Sequence, residues 1–138
     1  MIRRPPRSTQ GVSSAASDVY KRQNMSKTVF QKIIDREIPS EIVYEDDLVI
    51  AIKDVNPVAP VHLLIIPKKC IPTLNDLIED DANTVGRMIE IAKDLAKQFN
   101  IDKTGYRTIF NCNDDGGQTV YHIHLHLIGG RKMSWPPG

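Results

Sequence analysis

The chain has 138 residues, of which 41% are hydrophobic and 25% charged, and its net charge is +1. That is room for one domain around one core, and the near-neutral balance excludes a global field aimed at nucleic acid or an anionic membrane surface. No apolar run nears the roughly 20 residues a membrane helix needs, and two cysteines outside any CxxC pair fit reduced thiols better than a disulfide framework.

Residues 1–24 are rich in arginine and serine, carry a single acidic residue, Asp18, and have no periodic apolar pattern. Such a stretch buries too little surface to fold. Three readings compete: a transit peptide, a disordered tail, or a translated cloning leader ahead of a natural start at Met25. All three set it outside the fold. Phe30, Ile33 and Ile34 then repeat at i, i+3, i+4, which predicts a short amphipathic helix over Thr28–Arg36, with Thr28 as its N-cap and Pro39 stopping it. Ile42–Glu45 and Leu48–Asp54 read as two strands joined by a turn at Asp46-Asp47. Asn56-Pro57 and Ala59-Pro60 break the run, and Val61–Ile66 is a third, apolar strand ended by Pro67.

Leu74–Ile78 is a candidate helical turn. Asp80 to about Asn100 is the one long helix, with an apolar face of Val85, Met88, Ile89, Ala92, Leu95, Ala96 and Phe99. Asp80 and Asp81 lie near its positive end, where the dipole favours them. Tyr106–Cys112 and Val120–Ile128 complete the set as two strands. The order predicts an α+β fold: an antiparallel five-stranded sheet with helices on one face.

Three of the four histidines stand at strict alternation, His122, His124 and His126. In a strand they share one face, while Ile123, Leu125 and Leu127 point into the core. Two chemistries suit such a row. One is a zinc site of three imidazoles and a water. The other is phosphate chemistry, with imidazole as nucleophile and as donor to phosphate oxygens. The preceding Gly116-Gly117-Gln118-Thr119 favours the second, because paired glycines let backbone N–H groups approach an anion. A zinc site would want acidic partners for its imidazoles, and the nearest acids, Asp114 and Asp115, lie beyond the glycines.

His122 to Ile128 resembles the H-x-H-x-H signature of the histidine-triad superfamily. The longer string from Gly116 to Arg131, the closing Trp135-Pro136-Pro137-Gly138 and the upstream Ile33-Ile34, Ile38-Pro39, Tyr44 to Asp47 and Ile65 to Lys69 resemble its nucleotide-binding branch, over about 28–138. The resemblance implies a single HIT domain over residues 25–138. It also implies a five-stranded antiparallel sheet with one long and one short helix, the sheet extended across a homodimer.

It further implies a nucleoside phosphoramidase acting on purine nucleoside 5′-phosphoramidates through a nucleotidyl-histidine, with no metal or cofactor. His124 would be the nucleophile, His126 and His62 would contact phosphate oxygens, and His122 would buttress the attacking ring. A backbone carbonyl on the neighbouring strand would hold one ring N–H and so fix the tautomer. Gly117, Gln118, Thr119 and Val120 would line the phosphate and leaving group, with threonine standing where the family usually has serine. Asp54 would accept both ribose hydroxyls beside Asn111. Phe30, Ile33, Ile34, Ile52 and Val55 would enclose the base, with Ile52 where relatives often carry an aromatic. Implied partners are purine nucleoside monophosphates and a second copy of the chain, with neither membrane nor nucleic acid. The expected location is the cytoplasm, the nucleus as well, or an organelle if residues 1–24 are a transit peptide. Other functions left open are a dinucleoside polyphosphate hydrolase, a nucleotide-binding scaffold with weak hydrolysis, and a zinc protein on the triad.

Overall fold

The computed structural model describes residues 27–138. The expected leader, residues 1–24, lies outside them. A short helix α1 (Val29–Ile34) opens the described chain. Thr28 caps it as expected, its hydroxyl accepting from Gln31 N–H at 3.1 Å. The helix is shorter than expected: Asp35 closes it and Arg36 takes a left-handed backbone (φ 61°) well before Pro39.

Five strands follow in the expected order: β1 (Ile42–Glu45), β2 (Val49–Lys53), β3 (Val61–Pro67), β4 (Tyr106–Phe110) and β5 (Leu125–Gly129). The Asp46 carboxylate makes the first turn, accepting from the N–H groups of Leu48 and Val49 at 2.8 and 2.9 Å. In space the order is β1-β2-β3-β5-β4, every neighbour antiparallel, so β5 inserts between β3 and the edge strand β4. The long helix α2 (Ala82–Gln98) connects β3 to β4, preceded by two single turns at Leu74–Asp76 and Glu79–Asp81.

Alternation along the central strands decides what each face holds. Leu63, Ile65, Leu125 and Leu127 point to α2 and pack with Met88, Ile91, Leu95 and Ala96. Leu64 and Ile66 point the other way and pack with Ile50, Ile52, Phe30 and Ile33. The helices therefore cover opposite faces of the sheet, not one face as the element order suggested. The reason is that β2 and β3 are apolar on both sides, so each face needs a cover. The α2 stripe is also rotated from the expected one. Ile89 is exposed and Ile91 is buried, because the buried set runs 88, 91, 92, 95, 96. At its start the Asp81 carboxylate accepts from Ile78 N–H and Lys69 Nζ, which ties the helix to the segment after β3.

The last strand is shorter than expected. Val120–Ile128 was expected to be strand throughout, yet the ladder begins only at Leu125. Pro67 ends β3 and has no N–H to prolong pairing. The incoming chain pairs elsewhere: Ile123 N–H donates to Ile71 O at 2.8 Å. Likewise β4 stops at Phe110 rather than Cys112, where Asn111 begins the loop.

Candidate active site

The site lies on the α1 face. His62 on β3 and His126 on β5 are diagonal neighbours, since His62 pairs with Ile128 and Leu64 with His126. His122 and His124 come from the irregular run before β5 but still reach the same face. Ring contacts trace one row. Phe30 meets His124 edge-on at 4.8 Å, His124 meets His126 at 4.9 Å, and His126 meets His62 at 5.2 Å.

Hydrogen bonds settle how each ring is held. His122 is fully buried, and its Nε2–H donates to Pro67 O at 2.7 Å, which leaves Nδ1 facing the Thr28 hydroxyl at 3.5 Å. His124 donates its Nδ1–H to the carbonyl of His122 at 2.9 Å. The carbonyl that fixes the tautomer of His124 thus lies two residues upstream, not on the neighbouring strand. The departure of 120–124 from the ladder is what brings that carbonyl under the ring. No hydrogen bond among the described residues takes Nε2 of His124, so that nitrogen presents its lone pair. His62 Nδ1 accepts from Val58 N–H at 3.2 Å, and its Nε2 lies 2.9 Å from His126 Nδ1 and 3.3 Å from Asp54 Oδ2.

Burial lowers the pKa of all four rings. Desolvation is the leading cause for His62 and His122, opposed by Asp54 and by the Pro67 carbonyl respectively. Desolvation also leads for His124, and for His126, where the neighbouring imidazoles add to it and the value falls to about 4. All four are neutral at pH 7. A neutral imidazole with one nitrogen held and one bare is a nucleophile.

The loop before the triad is held by its own amides. Gln118 is buried; its Nε2 donates to Pro72 O at 2.6 Å and Val120 O at 3.1 Å, and its Oε1 accepts from Asn113 N–H at 2.9 Å. Its donors are engaged by Val120 in the loop and by Pro72 in the segment after β3, so it clamps the loop to that segment and has no donor free for a leaving group. Asn111 Nδ2 donates to Gly116 O at 2.6 Å, and Gly117 takes φ +78°, open to glycine without strain. Gly116 packs so close that a Cβ would meet Cys112 O at 2.5 Å. Thr119 is exposed at the loop's end.

Of the expected base-binding residues, Phe30, Ile33 and Ile52 are buried in one cluster, with Ile34 and Val120 against it. Val55 stands apart, 86% exposed beyond β2. The contributions of Thr28, Pro67 and Val58 were not foreseen. Pro67 and Val58 act through backbone atoms, which leave no side-chain signature, and Thr28 had already been read as a helix cap.

Asp54, His62 and His126 bring three donor atoms within 4.8 Å of one another, the grouping among the described residues that could hold a metal ion. Two imidazoles and a carboxylate suit zinc chemically. The triad itself suits it poorly. His122 has one nitrogen on Pro67 O and the other facing Thr28, and His124 Nδ1 is engaged by backbone.

A family model described as the HIT domain matches residues 35–133. A protein of Escherichia coli K12 named purine nucleoside phosphoramidase is 55% identical over 107 residues, 78% of this chain and 90% of that one. An uncharacterized HIT-like protein of Synechocystis is 51% identical over 80% of this chain and 96% of its own. Among solved structures, a HIT family hydrolase from Legionella pneumophila superposes with a TM-score of 0.80 at 51% identity, covering 81% of this chain and all of that one. One from Clostridium thermocellum gives 0.77 at 49% identity, covering 79% and 95%.

Proposed function

The chain belongs to the HIT-domain family, and we propose that it is a purine nucleoside phosphoramidase: a hydrolase that cleaves the P–N bond of nucleoside 5′-phosphoramidates with His124 as nucleophile. The observation that carries this is the bare Nε2 of His124, on a ring whose Nδ1–H is held by the His122 carbonyl. The activity named for the Escherichia coli relative supports the substrate class.

Nε2 attacks the α-phosphorus while the P–N bond breaks. The bonding pair leaves with the amine nitrogen, which takes a proton from water. The ring is then a phosphoryl-imidazolium, and its positive charge strengthens the Nδ1–H bond to the His122 carbonyl. That bond is stronger in the transition state than in the ground state, which is what accelerates a step. Water next attacks the same phosphorus, frees the imidazole and releases the nucleoside monophosphate. His126 donates its Nε2–H to a phosphate oxygen, His62 holds the His126 ring through its own Nε2–H, and His122 supports the nucleophile from beneath. Gly117, Thr119 and Val120 line the phosphate end, and Asp54 and Asn111 take the ribose. Phe30, Ile33, Ile34 and Ile52 form the wall toward the base.

We read residues 25–138 as one HIT domain. We also read the active form as a homodimer joined along β4 and α2. β4 is an edge strand with Tyr106 exposed, and α2 leaves Ile89 bare. Among the described residues no helix is long and apolar enough to cross a membrane. We infer a cytoplasmic location, with the Escherichia coli relative as its support. The test is a side-by-side assay with adenosine 5′-phosphoramidate and a diadenosine polyphosphate in the presence of a chelator. The expected result is release of AMP from the phosphoramidate at the higher kcat/KM. Preference for the polyphosphate, or no turnover of either, would overturn the proposal.

A further inference from the structure

A series of hydrogen bonds runs into the site from outside it. Gly129, the last residue of β5, pairs with Val61, the first of β3, so the segment after β5 passes beside the loop that precedes β3. The crossing is tight: Gly130 takes φ +93°, and a Cβ there would meet Pro60 Cβ at 2.9 Å. It sets Arg131 against Val58, whose carbonyl accepts from Arg131 Nε at 3.0 Å. Val58 N–H donates in turn to His62 Nδ1 at 3.2 Å. A backbone N–H can only donate, so the neutral His62 ring carries its proton on Nε2. That N–H is directed to His126 Nδ1 at 2.9 Å, which puts the His126 proton on Nε2, the nitrogen left for a phosphate oxygen.

Packing does not hold the Val58 peptide where His62 needs it. The Val58 side chain is 56% exposed and that of Val55 86%, so neither anchors the loop in the core. The loop's other support lies at its start, where Asp54 Oδ1 accepts from Asn56 N–H at 2.8 Å. We propose that Arg131 is a positioning residue: by holding the Val58 carbonyl it keeps the Val58 N–H on His62, and so sets the proton of His126 on the nitrogen that meets phosphate. The proposal deepens the reading above of His126 as phosphate donor and rests on it. Without that N–H, His62 is free to carry its proton on Nδ1. Its Nε2 then accepts from His126 Nδ1–H, and His126 turns a lone pair toward the phosphate oxygens, which it repels. Each ring keeps one proton in both arrangements; only the direction of donation reverses.

Two variants separate this role from that of a charge that attracts phosphate. Glutamine carries its amide nitrogen on Cδ, as arginine carries Nε, so Arg131→Gln keeps the donor and loses the charge, while Arg131→Ala loses both. With adenosine 5′-phosphoramidate at saturation, Arg131→Ala lowers kcat about tenfold, the scale of one net hydrogen bond, and Arg131→Gln restores it to within about twofold of wild type. Arg131→Ala turning over as the wild type does, or Arg131→Gln falling with it, would overturn the proposal.

The ¹⁵N NMR spectrum of the ligand-free proteins reads the tautomers directly, and a loss of stability alone does not move it. In the wild type and in Arg131→Gln, His62 and His126 each show a protonated Nε2 and a bare Nδ1. In Arg131→Ala both rings become mixtures, with signal from a protonated Nδ1. Wild-type tautomers in Arg131→Ala would refute the coupling while leaving the phosphoramidase reading intact. Absence of phosphoramidate turnover by the wild-type chain would strike that reading alone, because the ligand-free spectra do not depend on it.

Discussion

The two faces of the sheet are made from the same strands and do different work. On the α2 side, Leu63, Ile65, Leu125 and Leu127 are almost wholly buried against helix side chains. On the α1 side the same strands present His62 and His126, and a single turn and a half of helix covers what remains of the aliphatic cluster. The first face is stabilised by area removed from water, a term that does not depend on direction. The second buries rings that cost energy to desolvate and repay it only through aimed hydrogen bonds. Strand alternation lets one segment serve both, since a residue and its neighbour never share a face. The lesson is that the histidine row is backed by packing it does not take part in.

The comparison breaks if damage on one face spreads to the other. Truncating Leu127, fully buried under α2, to alanine should lower stability by about 2–5 kcal/mol through lost transfer energy and a cavity. Turnover per folded molecule should stay near that of the parent. Urea unfolding together with active-site titration measures both, and a kcat that collapses in the fraction still folded would show that the faces are not separable.

Acid tests the histidine face by itself. In the unfolded chain these rings titrate near 6.5, whereas folding holds all four below that, His126 at about 4. A lowered folded pKa means that the unfolded state binds more protons between those limits. Stability is therefore full above pH 6.5 and is lost progressively as pH falls from 6.5 toward 4. Activity follows the same direction, since protonation removes the lone pair from His124. It should persist below 6.5, where an ordinary imidazole would be half charged. A kcat/KM profile with its acid limb at or above 6.5 would contradict the burial of these rings. Exchanging one histidine for glutamine should flatten the acid loss of stability, read as urea midpoints between pH 7 and 4.

The helix face was legible in the sequence almost residue by residue, because hydrophobic periodicity records burial directly. Even there the stripe was displaced: Ile89 and Ile91 are equally apolar, and only the packing against β3 and β5 chooses between them. The histidine row was legible too, since alternation alone puts His122, His124 and His126 on one side. The extent of the strand was not. Pairing at 120–124 depends on whether β3 offers partners there, and that is set by Pro67, more than fifty residues upstream. The same departure supplies the carbonyl that holds His124, so the element boundary that was misjudged is the one that serves the nucleophile. Gln118 shows the converse. It stands in a loop whose composition suggests ligand contact, but its burial and three backbone bonds make it part of the loop's frame. A short polar motif does not reveal whether its donors face inward or outward.

The central claim is that one nitrogen, Nε2 of His124, forms a bond to phosphorus. Rapid quench of the wild-type chain with adenosine 5′-phosphoramidate, followed by peptide mapping under alkaline conditions, reads this directly. The account predicts an adenylyl group on the peptide carrying His122, His124 and His126, localised by fragmentation to His124, appearing within the first turnover and absent from His124→Ala. Turnover proceeding through single-turnover times with no adduct, or an adduct on His122, His126 or His62 instead, would contradict it.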